Sequence, residues 1–293
     1  MNDHLKGLIV TTLGVLFIVP DSLFVRIIVA DPLVVSFWRG LVSGSLIALA
    51  LLLFQGTSGF RAVFRTGWPG LIYAILIGST TIGFVMAVTN TSVANVVFIL
   101  AAMPIFSAIF SRIFLGEPFQ IRMVVTMAFV LLGLGIIAYG SHSSEIASWK
   151  GDLWALYVTV AYAAGLTAVR KVKDVSMVPA IPFAFIGAAL VLVPFVEPFE
   201  PAVLQWPLFT AHGAFIAAGS CLMTLGPRYI SSAEVSLLIL LESVLAPILV
   251  WMVIGEDPGN LALVGGIVVI SALIISNVFA LRAYRRKGLE PAP

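Results

Sequence analysis

Two stretches of this sequence align without a gap: SVANVVFILAAMPIFSAIFSRIFLGE (residues 92–117) and SSAEVSLLILLESVLAPILVWMVIGE (residues 231–256). A constant offset pairs Ser92 with Ser231, Ala94 with Ala233, Val96 with Val235, Gly116 with Gly255 and Glu117 with Glu256. Each stretch is an apolar run closed by Gly-Glu, and each is long enough to cross a bilayer core, which takes about 20 helical residues. Further out, Trp68-Pro69 corresponds to Trp206-Pro207. Lys6-Gly7 followed by Arg26 corresponds to Lys150-Gly151 followed by Arg170. The chain reads as two copies of one unit.

Composition names the solvent of that unit. The 293 residues are 60% hydrophobic and 10% charged, with a mean hydropathy of +1.11. Soluble chains are about 45–50% apolar and about 25% charged, so most of this chain faces lipid. Ten spans are predicted: 5–28, 33–54, 69–89, 92–114, 121–140, 151–170, 178–196, 207–226, 232–254 and 261–281. The first resembles a secretory signal, but no small-x-small cleavage site follows and later spans repeat its pattern, so it is read as retained. The expected fold is all-α and integral to the membrane. Residues 1–141 form the first five-helix unit, 142–285 the second, and 286–293 a cytoplasmic tail. Because five is odd, the second unit enters the membrane inverted.

Basic residues set the orientation, since cytoplasmic loops are enriched in Lys and Arg. With the N-terminus inside, Lys6, Arg61, Arg65, Arg112, Arg122, Arg170, Lys171, Lys173, Arg228, Arg282, Arg285, Arg286 and Lys287 all fall on the cytoplasmic side. Only Arg26 and Lys150 fall outside, and Arg39 lies within the second span. Both termini are therefore expected in the cytoplasm of a multi-pass protein of the inner or plasma membrane. Inverted repeats are a recurrent architecture of secondary transporters, with substrate held near the midplane between repeats.

The two Gly-Glu-terminated runs, with LGE at 115–117, IGE at 254–256 and LLESVLAPILVWMVIGE in the second copy, resemble the EamA repeat of the drug/metabolite transporter superfamily. The resemblance covers nearly the whole chain, and within that superfamily the chain is most similar to the YddG-type aromatic amino-acid exporters. It implies a ten-helix inner-membrane exporter of amino acids, aromatic ones favoured, and of related metabolites. The copies differ at one telling place: Met103-Pro104 in the first corresponds to Glu242-Ser243 in the second.

Glu242 is the sharpest candidate. A charged residue at the centre of a membrane helix costs roughly 2.5–3.5 kcal/mol on insertion scales, and such residues almost always face the bundle interior or a water-filled cavity. Pro247 removes the helical partner of the Ser243 carbonyl, and Pro104 that of Leu100, so a carboxylate and two carbonyls are expected near mid-membrane. That cluster suits a substrate ammonium group, or a proton exchanged by Glu242 during transport. A protonated Glu bonding a neighbouring helix is the structural alternative. Pro20 is a third helix break. Ser231 and Glu234 fit a capping box, while Asn95, at the matching helix start, is placed in the cavity.

Arg39 and Asp21 lie at similar depth on adjacent helices. They are expected to pair, or Arg39 is expected to draw a substrate carboxylate. Trp154, Tyr157 and Tyr162 precede small residues on the sixth span and make a candidate aromatic wall. The remaining tryptophans, Trp38 among them, are assigned to interfacial belts. His212 is expected to be a packed polar residue, with His4 and His142 at the surface.

Other classes fare worse. The three histidines are far apart and Cys221 has no partner, so no cofactor or metal site is expected. No HExxH, GxSxG or Gly-rich phosphate loop occurs, the links are too short for a nucleotide-binding domain, and no basic stripe for nucleic acid precedes RAYRRKG (282–288). The expected partners are a small-molecule substrate, the lipid bilayer and protons. The alternatives are transport of a nucleotide-sugar-like solute or a cationic drug, then a membrane-embedded enzyme or a channel.

Overall fold

Among the described residues every regular element is a helix, as lipid requires: with no water to bond them, backbone groups must be satisfied within the segment. The structure is a computed structural model. It describes residues 3–91, 96, 99–100, 102–118, 121–140, 149–199, 202–255, 261, 264–265, 267–269, 271–272, 274–276 and 278–279. The helices are α1 (Asp3–Ile18), α2 (Asp21–Ile27), α3 (Pro32–Gln55), α4 (Ser58–Phe64), α5 (Trp68–Asn90), α6 (Met103–Leu115), α7 (Ile121–Gly140), α8 (Trp149–Lys171), α9 (Ile181–Leu192), α10 (Ala202–Leu225) and α11 (Ser232–Ile254). Short 3-10 turns flank α9 and follow α10. The described residues between 261 and 279 are helical.

Seven segments among the described residues are long and apolar enough to cross a membrane; α1 and α2 together make the first. Of the span expected over 92–114, residues 96, 99 and 100 are helical, and 92–95, 97–98 and 101 lie outside the described residues. The chain turns at Ala102, whose carbonyl accepts from both Ile105 and Phe106, and α6 begins only at Met103. Pro104 therefore starts a helix instead of kinking one, because the first turn needs no N–H from it. Pro247 does lie inside its helix.

Local chemistry explains the ends of α11. The Ser231 hydroxyl accepts the Glu234 N–H at 3.2 Å, and the Glu234 carboxylate accepts the Ser231 N–H at 3.1 Å. At the other end Gly255 adopts φ 83°, and Gly116 does the same for α6 at φ 70°. A left-handed C-cap favours glycine, which accounts for the Gly of both Gly-Glu turns.

The two sequence copies interlock. α1 packs on α10 and α5 on α8; α3 meets α9 and α6 meets α11; α3 also meets α10, and α5 meets α9. Exchanging the copies maps this pattern onto itself. Small residues permit the close approaches. A Cβ on Gly40 would lie 2.8 Å from the Phe185 carbonyl oxygen, and one on Gly78 would lie 2.5 Å from that of Ala184. Because backbone cannot move aside as a flexible side chain can, Gly78→Val is expected to cost about 1–3 kcal/mol or more. Gly187→Ala, which meets nothing within 4 Å, should leave the melting midpoint of detergent-purified protein unchanged or higher. Equal midpoints for Gly78→Val and wild type would refute the close packing of α5 on α9.

Candidate functional site

α1 stops at Ile18 and α2 restarts at Asp21 with Pro20 as its N-cap. This break places the Asp21 carboxylate inside the bundle, 1% exposed. Arg39 of α3 grips it with two donors, Nε to Oδ1 at 3.1 Å and Nη2 to Oδ2 at 2.6 Å. His212 of α10, fully buried, brings Nε2 to 2.6 Å from Asp21 Oδ1, and its ring stacks on Phe24 at 5.2 Å. The expected pair is thus a triad. A bidentate Arg–carboxylate contact is among the stronger polar interactions, and here it neutralises two charges that would be costly alone in a bilayer.

Asp21 and Arg39 form one side of a cavity of about 80 Å³. Glu242 of α11 lies on another side, half-buried, and makes no hydrogen bond or ion pair among the described residues. It is ten residues from the start of α11, about 15 Å along the helix at 1.5 Å per residue, so it sits near the middle of the span. Tyr73, Tyr162, Phe84 and Phe185 give the cavity aromatic walls. Thr80, Thr81, Ser220 and Thr224 add hydroxyls, and Leu100 and Met103 close it from the α6 side. Tyr73 bonds Thr224 at 2.7 Å, whereas the buried Thr81 hydroxyl has no partner among the described residues. The volume falls well below the roughly 300 Å³ at which ligand pockets commonly begin. In this conformation the cavity has room only for a small group.

The cavity gathers some of the expected residues and leaves others out. Glu242, Arg39, Tyr162 and Leu100 line it, and His212 touches it through Asp21. Ser243 is buried but does not line it, and Asn95 lies outside the described residues. Trp154 and Tyr157 do not form its wall. They are 36% and 41% exposed, and Tyr157 donates to Ser79 at 2.6 Å. Their shared face does meet α5, but away from the cavity: a Cβ on Gly83 would lie 3.3 Å from the Tyr157 ring, while Gly165, further along the same face, meets Ile77 and Tyr73. Trp38 is also not a belt residue. It is buried, donates Nε1–H to the Pro198 carbonyl at 2.7 Å and packs edge-on against Trp206.

A second charged group was not anticipated. His4, expected at the surface, is 2% exposed, with Nε2 3.2 Å from Glu234 Oε1. Arg122 donates to the same oxygen at 2.5 Å. Glu234 thus caps α11 and also ties α1 and α7 to it. Arg170 donates Nε–H to Glu117 at 2.9 Å and Nη1–H to the Pro227 carbonyl at 3.0 Å. His142 lies outside the described residues, and no group of three or more potential metal ligands occurs among those described.

Comparison with known proteins bears on this geometry. A model of the EamA-like transporter family matches residues 5–139 and again residues 149–278. Over 248 residues the chain is 27% identical to the uncharacterized transporter YdfC of Bacillus subtilis, spanning 77% of this chain and 76% of that protein. It is 28% identical over 131 residues to the uncharacterized transporter sll0355 of Synechocystis, 43% of this chain and 38% of that protein. One solved crystal structure superposes with a TM-score of 0.77 at 17% identity, covering 94% of this chain and 99% of the other; at that identity the likeness speaks for the fold alone.

Proposed function

We propose, on the premise that the chain belongs to the EamA-like transporter family and is a multi-pass membrane protein, that it is a secondary-active carrier exporting amino acids, aromatic ones favoured. It works by alternating access in the inner or plasma membrane. Ten helices in two inverted five-helix repeats, with both termini in the cytoplasm, make up its frame. The twofold family match and the exchange-symmetric helix contacts support that frame. One observation carries the substrate reading: Glu242 faces an aromatic-walled cavity with no partner of its own among the described residues. An ammonium group supplies the missing partner, and an aromatic side chain fits against Tyr162, Phe84 and Phe185. Between substrates a proton serves the same carboxylate, which would couple transport to the proton gradient.

A second reading also has an observation behind it. Arg39 is already neutralised by Asp21, so a substrate carboxylate would meet only its Nη1, which neither bond to Asp21 uses. That favours a hydrophobic amine lacking a carboxylate, and it weighs against nucleotide sugars, whose phosphates need cations. Proteoliposomes loaded with L-phenylalanine, phenethylamine, an aliphatic amino acid or UDP-glucose separate these readings. Saturable counterflow of L-phenylalanine that is accelerated by an opposing proton gradient is expected. Counterflow of phenethylamine alone would establish the cationic reading, non-saturable flux would establish a channel, and chemical conversion of the solute would establish an enzyme.

A further inference from the structure

A larger cavity, about 210 Å³, lies at the other end of the α6–α11 contact, on the side rich in basic residues. It is lined by Ser111 and Met123 from the first copy, Glu117 of its Gly-Glu turn, and Arg170, Tyr229 and Glu234 from the second. Ser111 is 4% exposed and its hydroxyl has no hydrogen-bond partner among the described residues. Here, unlike at Asp21, whose two oxygens are both bonded, the carboxylate retains capacity, and so does its arginine. Arg170 spends Nε on one Glu117 oxygen and Nη1 on a backbone carbonyl, leaving Nη2. Glu117 has its second oxygen unbonded, and the two side chains are 20% and 27% exposed.

This pocket and the central cavity lie in line along one helix face. Ser111, Ser107 and Met103 are four residues apart on α6 and so share a face. Ser111 lines the outer pocket and Met103 the central cavity. Between them the Ser107 and Ser236 hydroxyls bond at 2.6 Å, and both residues and Leu240 are fully buried. The bridged hydroxyls therefore lie between the two compartments.

We propose that the pocket at Ser111, Glu117 and Arg170 is a second substrate site that reads the zwitterion: Glu117 takes the ammonium, Arg170 Nη2 the carboxylate, and the Ser111 hydroxyl a further polar contact. The proposal rests on the amino-acid reading above and deepens it, because it names a place where an acid and a cation both keep bonding capacity among the described residues. An amine without a carboxylate passes the central cavity but is not held here.

Equilibrium dialysis of the detergent-purified full chain against labelled L-phenylalanine and phenethylamine tests this. Two equivalents of L-phenylalanine and one of phenethylamine are expected. Glu117→Gln should weaken one L-phenylalanine equivalent about tenfold, the effect of losing one charge-assisted contact, and Ser111→Leu, which fills the pocket, should abolish it. Glu117 lies in a partly exposed turn, so Glu117→Gln remains informative where Ser111→Leu fails to fold. A single L-phenylalanine equivalent, abolished by Glu242→Gln and indifferent to Glu117→Gln, overturns the second site and leaves the amino-acid reading standing. No bound L-phenylalanine at all overturns both.

Discussion

Asp21→Leu is expected to lower the stability of the purified protein by about 3–5 kcal/mol, the usual cost of removing one member of a buried ion pair. The carboxylate is the common acceptor for Arg39 and His212, with side-chain exposures of 2% for Asp21, 10% for Arg39 and 0% for His212. Without it, a guanidinium is left buried beside an imidazole, with the Phe84 ring centroid 5.7 Å away. The loss should be read as the midpoint of an SDS-unfolding titration. Asp21→Leu combined with Arg39→Met should recover most of it, since replacing both partners of a buried pair by apolar groups is often close to neutral. A single variant as stable as wild type would mean that Arg39 finds another anion, Glu242 being the one across the cavity. In that case the triad is not what holds α2, α3 and α10 together.

Much of this arrangement is legible in the sequence because lipid penalises polarity so heavily. A carboxylate amid twenty apolar residues must face inward, and Glu242 does. Asp21 and Arg39 at equal depth on neighbouring helices had few other partners, and they pair. The bounds of α11 follow from a capping box and a glycine stop, both of which are local patterns. What the sequence conceals is whatever depends on distant neighbours. His212 reaches Asp21 across 191 positions and His4 reaches Glu234 across 230, and no spacing rule connects them. Helical periodicity correctly grouped Trp154 and Tyr157 on one face of α8. It does not say at what height along that face the cavity lies, and α5 meets Tyr157 at Gly83 and Ser79, away from it. A break was expected at Pro104, and the chain turns just before it, at Ala102; the sequence does not say whether such a proline kinks a helix or opens the next one.

Glu242→Gln should abolish gradient-driven accumulation while leaving counterflow measurable at high substrate. Gln keeps the shape of the side chain but can neither carry the negative charge nor exchange the proton. A hydrogen bond to a charged group is worth about 1.5–3 kcal/mol, so substrate affinity should fall roughly ten- to a hundredfold. The loss must appear for L-phenylalanine and phenethylamine alike, since both present an ammonium, and must be absent for a neutral analogue such as phenylpropanol if that analogue enters at all. Because Glu242 makes no hydrogen bond or ion pair among the described residues, its replacement should leave the unfolding midpoint near that of wild type, in contrast with Asp21→Leu. The two variants therefore separate anchoring from transport within one cavity. If Glu242→Gln instead lowers stability as much as Asp21→Leu and leaves accumulation proportional to the proton gradient, Glu242 is a structural tie between helices, and the coupling group must be sought at the Asp21–His212 contact.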